Sequence, residues 1–171
     1  VEKWRFSSDN GVFSDPIVVD GVVYAANLEH IHALDAVTGE LLVVYSNVVG
    51  ARTPTVVDGV VYTITSVSGG GLSALDATTG EIVWQAFSDI TFTSPNVANG
   101  VVYAGSHLGV LCAVEASSGS EIWRMAFEEQ WNLGSPTVSD GIIALKAAVP
   151  FIYALDATSG KVLWRFEEEN G

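Results

Sequence analysis

An eight-residue stretch, Ala33-Leu34-Asp35-Ala36-Val37-Thr38-Gly39-Glu40, returns three more times along the chain, at Ala74 to Glu81, Ala113 to Glu121 and Ala154 to Lys161. Its glycines, Gly39, Gly80, Gly119 and Gly160, lie 41, 39 and 41 residues apart. Self-similarity at this period restricts the chain to stacked supersecondary units, a propeller or a solenoid, because one such unit cannot bury its own apolar face.

The residues between the copies say which unit it is. Each repeat opens with Pro and a β-branched run, crosses a two-residue turn and continues as a second run, as in Pro16 to Tyr24, Pro54 to Tyr62, Pro95 to Tyr103 and Pro136 to Ala144. The turns are Asp20-Gly21, Asp58-Gly59, Asn99-Gly100 and Asp140-Gly141. Asp-Gly or Asn-Gly between two such runs is a strong hairpin signal, since both residues tolerate positive φ. A third run, such as Ile31 to Ala36, ends in the repeated acid turn, and a fourth carries Trp84, Trp123 or Trp164 four residues past the glycine. The first repeat has Val43 there and Tyr45 two residues later. Four short strands, A to D in chain order, make an antiparallel blade, and blades that stack to bury Val, Ile, Leu and Trp make a β-propeller. The expected blades cover residues 14–46, 52–88, 93–127 and 134–166 of a single domain.

Composition narrows the partners. Seven Lys and Arg against 20 Asp and Glu leave a net charge of -13, which lacks the basic footprint that nucleic acid or anionic lipid requires. No apolar run reaches the length of a membrane-spanning helix. Cys112 is the only cysteine, so no internal disulfide forms, and its apolar neighbours mark it as a small buried hydrophobe.

The run Val102-Tyr103-Ala104-Gly105-Ser106 to Leu111-Cys112-Ala113-Val114-Glu115, followed by Gly119 and Trp123, resembles the repeat of the pyrroloquinoline-quinone (PQQ) quinoprotein β-propellers, as does Tyr153 to Gly160 with Trp164. Four ordered copies extend the resemblance over the whole chain. It implies that Trp84, Trp123 and Trp164 dock against neighbouring backbone and tie adjacent blades, and that the first blade, with Val43, is less firmly tied. The recurring Asp35, Asp76 and Asp156, with Glu115 as variant, are expected to stabilise turns, not to catalyse, since short acids routinely cap turn amides.

Trp4-Arg5-Phe6 matches Trp164-Arg165-Phe166 in register, 160 residues apart. Residues 3–6 thus read as the outer strand of a preceding blade, and the expected architecture is four blades plus one extra strand within a seven- or eight-bladed ring, the blade numbers usual in the family.

Function is sought where the repeats differ, in the D-to-A and B-to-C loops, because variable loops on a rigid scaffold carry binding groups. Trp131, outside the repeating Trp position, Arg52, Phe92 and His107 are the expected contact residues. His30 and His32 share a strand face, but a metal needs three or four converging ligands, and His32 stands where the fourth repeat has Tyr153. No catalytic motif or metal site is expected. The family's dehydrogenases hold PQQ beneath a vicinal disulfide with Ca²⁺ bound nearby, and one cysteine excludes that disulfide within this chain. The leading expectation is a noncatalytic scaffold without cofactor that binds a protein partner, another propeller half or a second copy, in an extracellular, periplasmic or cell-surface setting. The alternatives are part of a PQQ- and calcium-dependent oxidoreductase, or the extracellular sensor domain of a receptor or kinase.

Overall fold

The computed structural model describes residues 1–9, 11, 14–46, 48, 52–65, 71–88, 90, 92–127, 133–147 and 151–167. Among the described residues sixteen strands fall into four sheets of four, each antiparallel and in chain order. The first sheet is β1 (Ile17–Val19), β2 (Val22–Ala26), β3 (His30–Asp35) and β4 (Leu41–Ser46), and the second is β5 (Thr55–Val57), β6 (Val60–Thr65), β7 (Gly71–Asp76) and β8 (Ile82–Ala86). The third comprises β9 (Asn96–Ala98), β10 (Val101–Gly105), β11 (Val110–Glu115) and β12 (Glu121–Ala126), and the fourth β13 (Thr137–Ser139), β14 (Ile142–Lys146), β15 (Phe151–Asp156) and β16 (Val162–Glu167). These are the blades of a β-propeller. Each A-to-B hairpin turns on a pair with both φ angles positive, for example Asp20 at 49° and Gly21 at 78°, the geometry that matches the right-handed twist of the flanking strands.

The C and D strands share one irregularity. Between Ala33 and Leu34, Ala74 and Leu75, Ala113 and Val114, and Ala154 and Leu155 the register slips by one residue. Leu42, Val83, Ile122 and Leu163 are the extra residues on the D side. Each is about half exposed, because a bulge residue has no partner on the opposite strand. Beyond the bulge, Trp84, Trp123 and Trp164 fall opposite Ala74, Ala113 and Ala154.

The chain divides into two compact units, Val1–Asp89 and Ile90–Gly171, of two blades each. In the first unit Tyr24, Ala26, Ile31, Ala33 and Tyr45 of one blade pack with Val56, Val61 and Leu75 of the next. The second unit repeats this with Tyr103, Leu111 and Ala113 against Ile143, Leu145, Tyr153 and Leu155. Alternation along each strand sends every second side chain into these seams.

Residues 1–8 carry no strand pairing, although residues 3–6 read as an outer strand. A D strand is held by the C strand beside it, and none of the described strands pairs with this segment. It keeps the side-chain half of the role, as shown next.

Candidate functional site

The repeated acid turn presents one backbone carbonyl to the neighbouring blade. Asp35 Oδ1 accepts from the amides of Val37 (2.9 Å) and Thr38 (2.7 Å) and from the Thr38 hydroxyl (2.9 Å). Asp76 accepts from the amides of Thr78 and Thr79, both at 2.8 Å, and Asp156 from the Ser159 amide (2.8 Å) and hydroxyl (2.6 Å). Donation to the charged form holds all three carboxyls below their ordinary value of 3.8. Glu115, one carbon longer, reaches the Ser118 hydroxyl at 2.6 Å.

The carbonyls after Asp35, Asp76 and Asp156 receive ties. Trp123 Nε1 donates to Ala157 O at 3.1 Å, and its ring lies over Gly160, where a Cβ would sit 2.8 Å from Cε3. Trp4 Nε1 donates to Ala36 O at 3.1 Å, with its ring over Gly39 at 2.6 Å by the same measure. The first blade, expected to be weakly tied, reaches the equivalent carbonyl with a different residue: the Tyr45 hydroxyl donates to Ala77 O at 2.6 Å from a fully buried position. Burial raises the Tyr45 pKa further out of the physiological range, so this donor is always protonated. Trp84 is buried against Tyr62, their rings 6.0 Å apart. Trp164, expected to dock, is 55% exposed.

The first unit also holds a cleft of about 360 Å³, between residues 6–9 and the outer face of the first blade. Phe6, Asp9, Glu29, His30, His32 and Val44 line it. Asn27 shapes the adjoining B-to-C loop, its buried Oδ1 accepting from the amides of Glu29 (2.9 Å) and His30 (2.7 Å). The His32 ring sits 5.1 Å from Phe6 and 5.9 Å from His30, and its buried Nδ1 has no protein partner. Burial is the main cause, and the neighbouring His30 the second, of a His32 pKa below its ordinary 6.5. Tyr153, which stands in the fourth blade where the first has His32, packs edge-on against Phe127 at 5.1 Å, so His32 stands at a packing position.

Of the other expected contact residues, His107 is exposed in a turn held by Ser106 Oγ, which accepts from the amides of Leu108 (3.2 Å) and Val110 (3.0 Å). Arg52 is half-buried ahead of β5. Phe92 offers no contact surface: it is fully buried and bridged to Ser106, and the adjacent Thr93 hydroxyl donates to Gly105 O at 2.9 Å. Trp131 lies outside the described residues. Trp4, Tyr45 and the cleft were not singled out as site features from the sequence. The visible signals were the match of Trp4 with Trp164 and the aromatic Tyr45 two residues past Val43.

Among the described residues no group of three or more His, Cys, Asp or Glu converges. Cys112 is fully buried, its thiol pushed up to about 12 by burial, and it donates to Ala104 O at 3.6 Å. Among the described residues no helix is long and apolar enough to cross a membrane.

Known structures share this architecture. BamB from Moraxella catarrhalis superposes with a TM-score of 0.80 at 20% identity, over 96% of this chain and 55% of that one. The quinohemoprotein alcohol dehydrogenase from Comamonas testosteroni gives 0.72 at 22% identity, over 93% and 35%. The chain therefore spans about half the length of the first and a third of the second. The computationally designed Ika4 protein gives 0.70 at 15% identity, over 88% of this chain and 93% of that one. No curated protein sequence matches. The family model described as outer membrane protein assembly factor BamB matches residues 2–95 and 90–171, and the chain belongs to that family of PQQ-repeat β-propellers.

Proposed function

We propose that the chain is a noncatalytic propeller scaffold that binds a protein partner through its D-to-A and B-to-C loops, outside the cytoplasm. The observation that carries this reading is the match of both halves of the chain to the family model described as an outer-membrane protein assembly factor. Two features support it. The acids that recur in every blade are committed to turn amides, which leaves the non-repeating loops as the variable chemistry. The charge of -13 suits a partner with a basic surface, since complementary potential speeds encounter and fixes orientation. His107, Arg52 and Trp131 are the proposed contact residues, with the cleft beside His30 and Glu29 as a further contact.

The discriminating experiment adds PQQ with Ca²⁺ and follows the melting temperature. A ligand at a hundred times its Kd stabilises by about 2.7 kcal/mol, a shift of about 5–10 °C for a chain of this size. The scaffold reading expects no shift, and stoichiometric PQQ binding with a shift of that size overturns it.

A further inference from the structure

The four A-to-B hairpins share one backbone and differ in one functional group. Asp20, Asp58, Asn99 and Asp140 have φ of 49°, 50°, 51° and 51°, and the glycines that follow them 78°, 73°, 74° and 76°. Three of these turns carry a carboxylate, and that of the third blade carries a carboxamide. The difference matters chemically, because an uncharged amide carbon next to a glycine is open to attack by the following backbone nitrogen, whereas an ionised carboxylate repels it. Asn99 and Gly100 are both exposed. A Cβ placed on Gly100 would meet nothing within 4 Å, so no packed neighbour crowds the nitrogen.

The turn itself holds this reaction back. A turn of this type keeps its first residue at φ about +60° and ψ about +30°, which points the Asn99 side chain away from the Gly100 nitrogen. Closing a five-membered ring between them requires rotation about the Cα–C bond of Asn99, so the hairpin must open first. It is held by three residue pairs, Val101 with Ala98, Val102 with Val97 and Tyr103 with Asn96. β9 is half-buried throughout and lies at the end of its sheet, where β10 is its one partner. A short, partly exposed strand of this kind opens locally at far less cost than global unfolding.

We propose that Asn99 is a site of spontaneous backbone modification, entered through opening of the β9–β10 hairpin. The Gly100 nitrogen forms a bond to Asn99 Cγ, the bond from Cγ to Nδ2 breaks, and Nδ2 departs as ammonia with the proton lost by the attacking nitrogen. Water then opens the cyclic imide. Cleavage between that nitrogen and Cγ gives aspartate, and cleavage between it and the main-chain carbonyl carbon gives isoaspartate, with the chain running through Cβ and Cγ. The fold treats the two products differently. Aspartate is the residue the other three turns hold at this place, so the hairpin closes again with one more negative charge. Isoaspartate adds a methylene to the main chain of a two-residue loop, and since loop length fixes hairpin register, the three pairs of β9 do not re-form.

The test is peptide mapping of the 171-residue chain held at mildly alkaline pH and body temperature, both folded and in urea. Mapping assigns the amide-to-acid mass change to Asn99, apart from the pairs Asn10-Gly11 and Asn170-Gly171, and separates aspartate from isoaspartate by retention. In the folded chain, conversion at Asn99 is expected to run at least about tenfold ahead of isoaspartate formation at Asp20, Asp58 or Asp140, and about tenfold or more behind Asn99 in the unfolded chain. Hydrogen exchange through β9 should be unchanged in Asn99→Asp and about tenfold or more faster in chains that hold isoaspartate. An Asn99 that stays intact in the folded chain after full conversion in urea overturns the proposal. Equal rates in the folded and unfolded chains also overturn it, as does isoaspartate that leaves exchange in β9 unchanged.

Discussion

Gly141 and Gly160 stand in the same blade with nearly the same backbone, φ +76° and +70°, but differ in what lies beyond the missing Cβ. Nothing lies within 4 Å at Gly141, whereas at Gly160 three Trp123 ring atoms lie at 2.8, 3.0 and 3.1 Å. Gly141→Ala therefore reports the left-handed backbone alone, about 1–2 kcal/mol, offset by about half a kcal/mol through the stiffer unfolded chain. Gly160→Ala adds about 1–3 kcal/mol of overpacking. It also adds about 1 kcal/mol for the indole hydrogen bond to Ala157 O if the ring is pushed out. At about 2–4 °C per kcal/mol, the expected loss in melting temperature is about 3 °C for Gly141→Ala and about 10 °C for Gly160→Ala. Thermal unfolding followed by far-ultraviolet circular dichroism reads both. Repeating Gly160→Ala in a Trp123→Leu background should bring its cost down to that of Gly141→Ala, since contacting residues couple and distant ones add. Equal losses in the parent chain would show that the ring yields freely, and that the tie fixes nothing at the seam.

Trp123 and Trp164, which share the repeating position in two blades, should behave differently. Trp123→Ala costs about 3 kcal/mol in urea unfolding, the low end for a large aromatic because it is only half-buried, while Trp164→Ala stays within about 0.5 kcal/mol as for an exposed site. Acid should act at two places. His32 has its folded pKa lowered from 6.5, chiefly by burial and then by His30, so stability present above 6.5 is lost as pH falls through the folded value. His32→Tyr, the residue of the fourth blade, should flatten the melting temperature between neutral pH and about pH 5. Asp35, Asp76 and Asp156 are lowered from 3.8, so their contribution persists above 3.8 and disappears as pH falls through their folded values. Replacing all three by Asn should reduce the slope of stability there.

The architecture was legible because its signals are local and repeated four times. A positive-φ pair in each hairpin, an acid turn and a strand-period apolar pattern each specify their own few residues. The ties were partly legible. Trp123 to Ala157 follows the repeat, but Tyr45 reaches Ala77 by using the next inward-facing position of the same strand, so a missing Trp at Val43 did not mean a missing bond. That substitution depends on the distance between two sheets, which no single strand encodes. Phe92 failed for the same reason: a loop position by sequence, it is drawn inside by its bridge to Ser106. The cleft was not legible, since it arises where an unpaired segment lies across a sheet, and neither has a motif for the other.

The repeated slip between C and D strands bears on solubility. Each blade ends in an outermost strand whose free main-chain groups are a template for another chain, and a repeat protein multiplies that hazard by the number of its blades. A foreign strand approaching β4, β8, β12 or β16 meets a kinked edge at Leu42, Val83, Ile122 or Leu163, out of step with any flat partner. The neighbouring Glu40, Glu81 and Glu121 add repulsion towards a second acidic copy. The same inserted residue that turns an indole into the seam thus also blunts the rim, so a straightening deletion there would cost the protein a tie and a guard against fibre growth together.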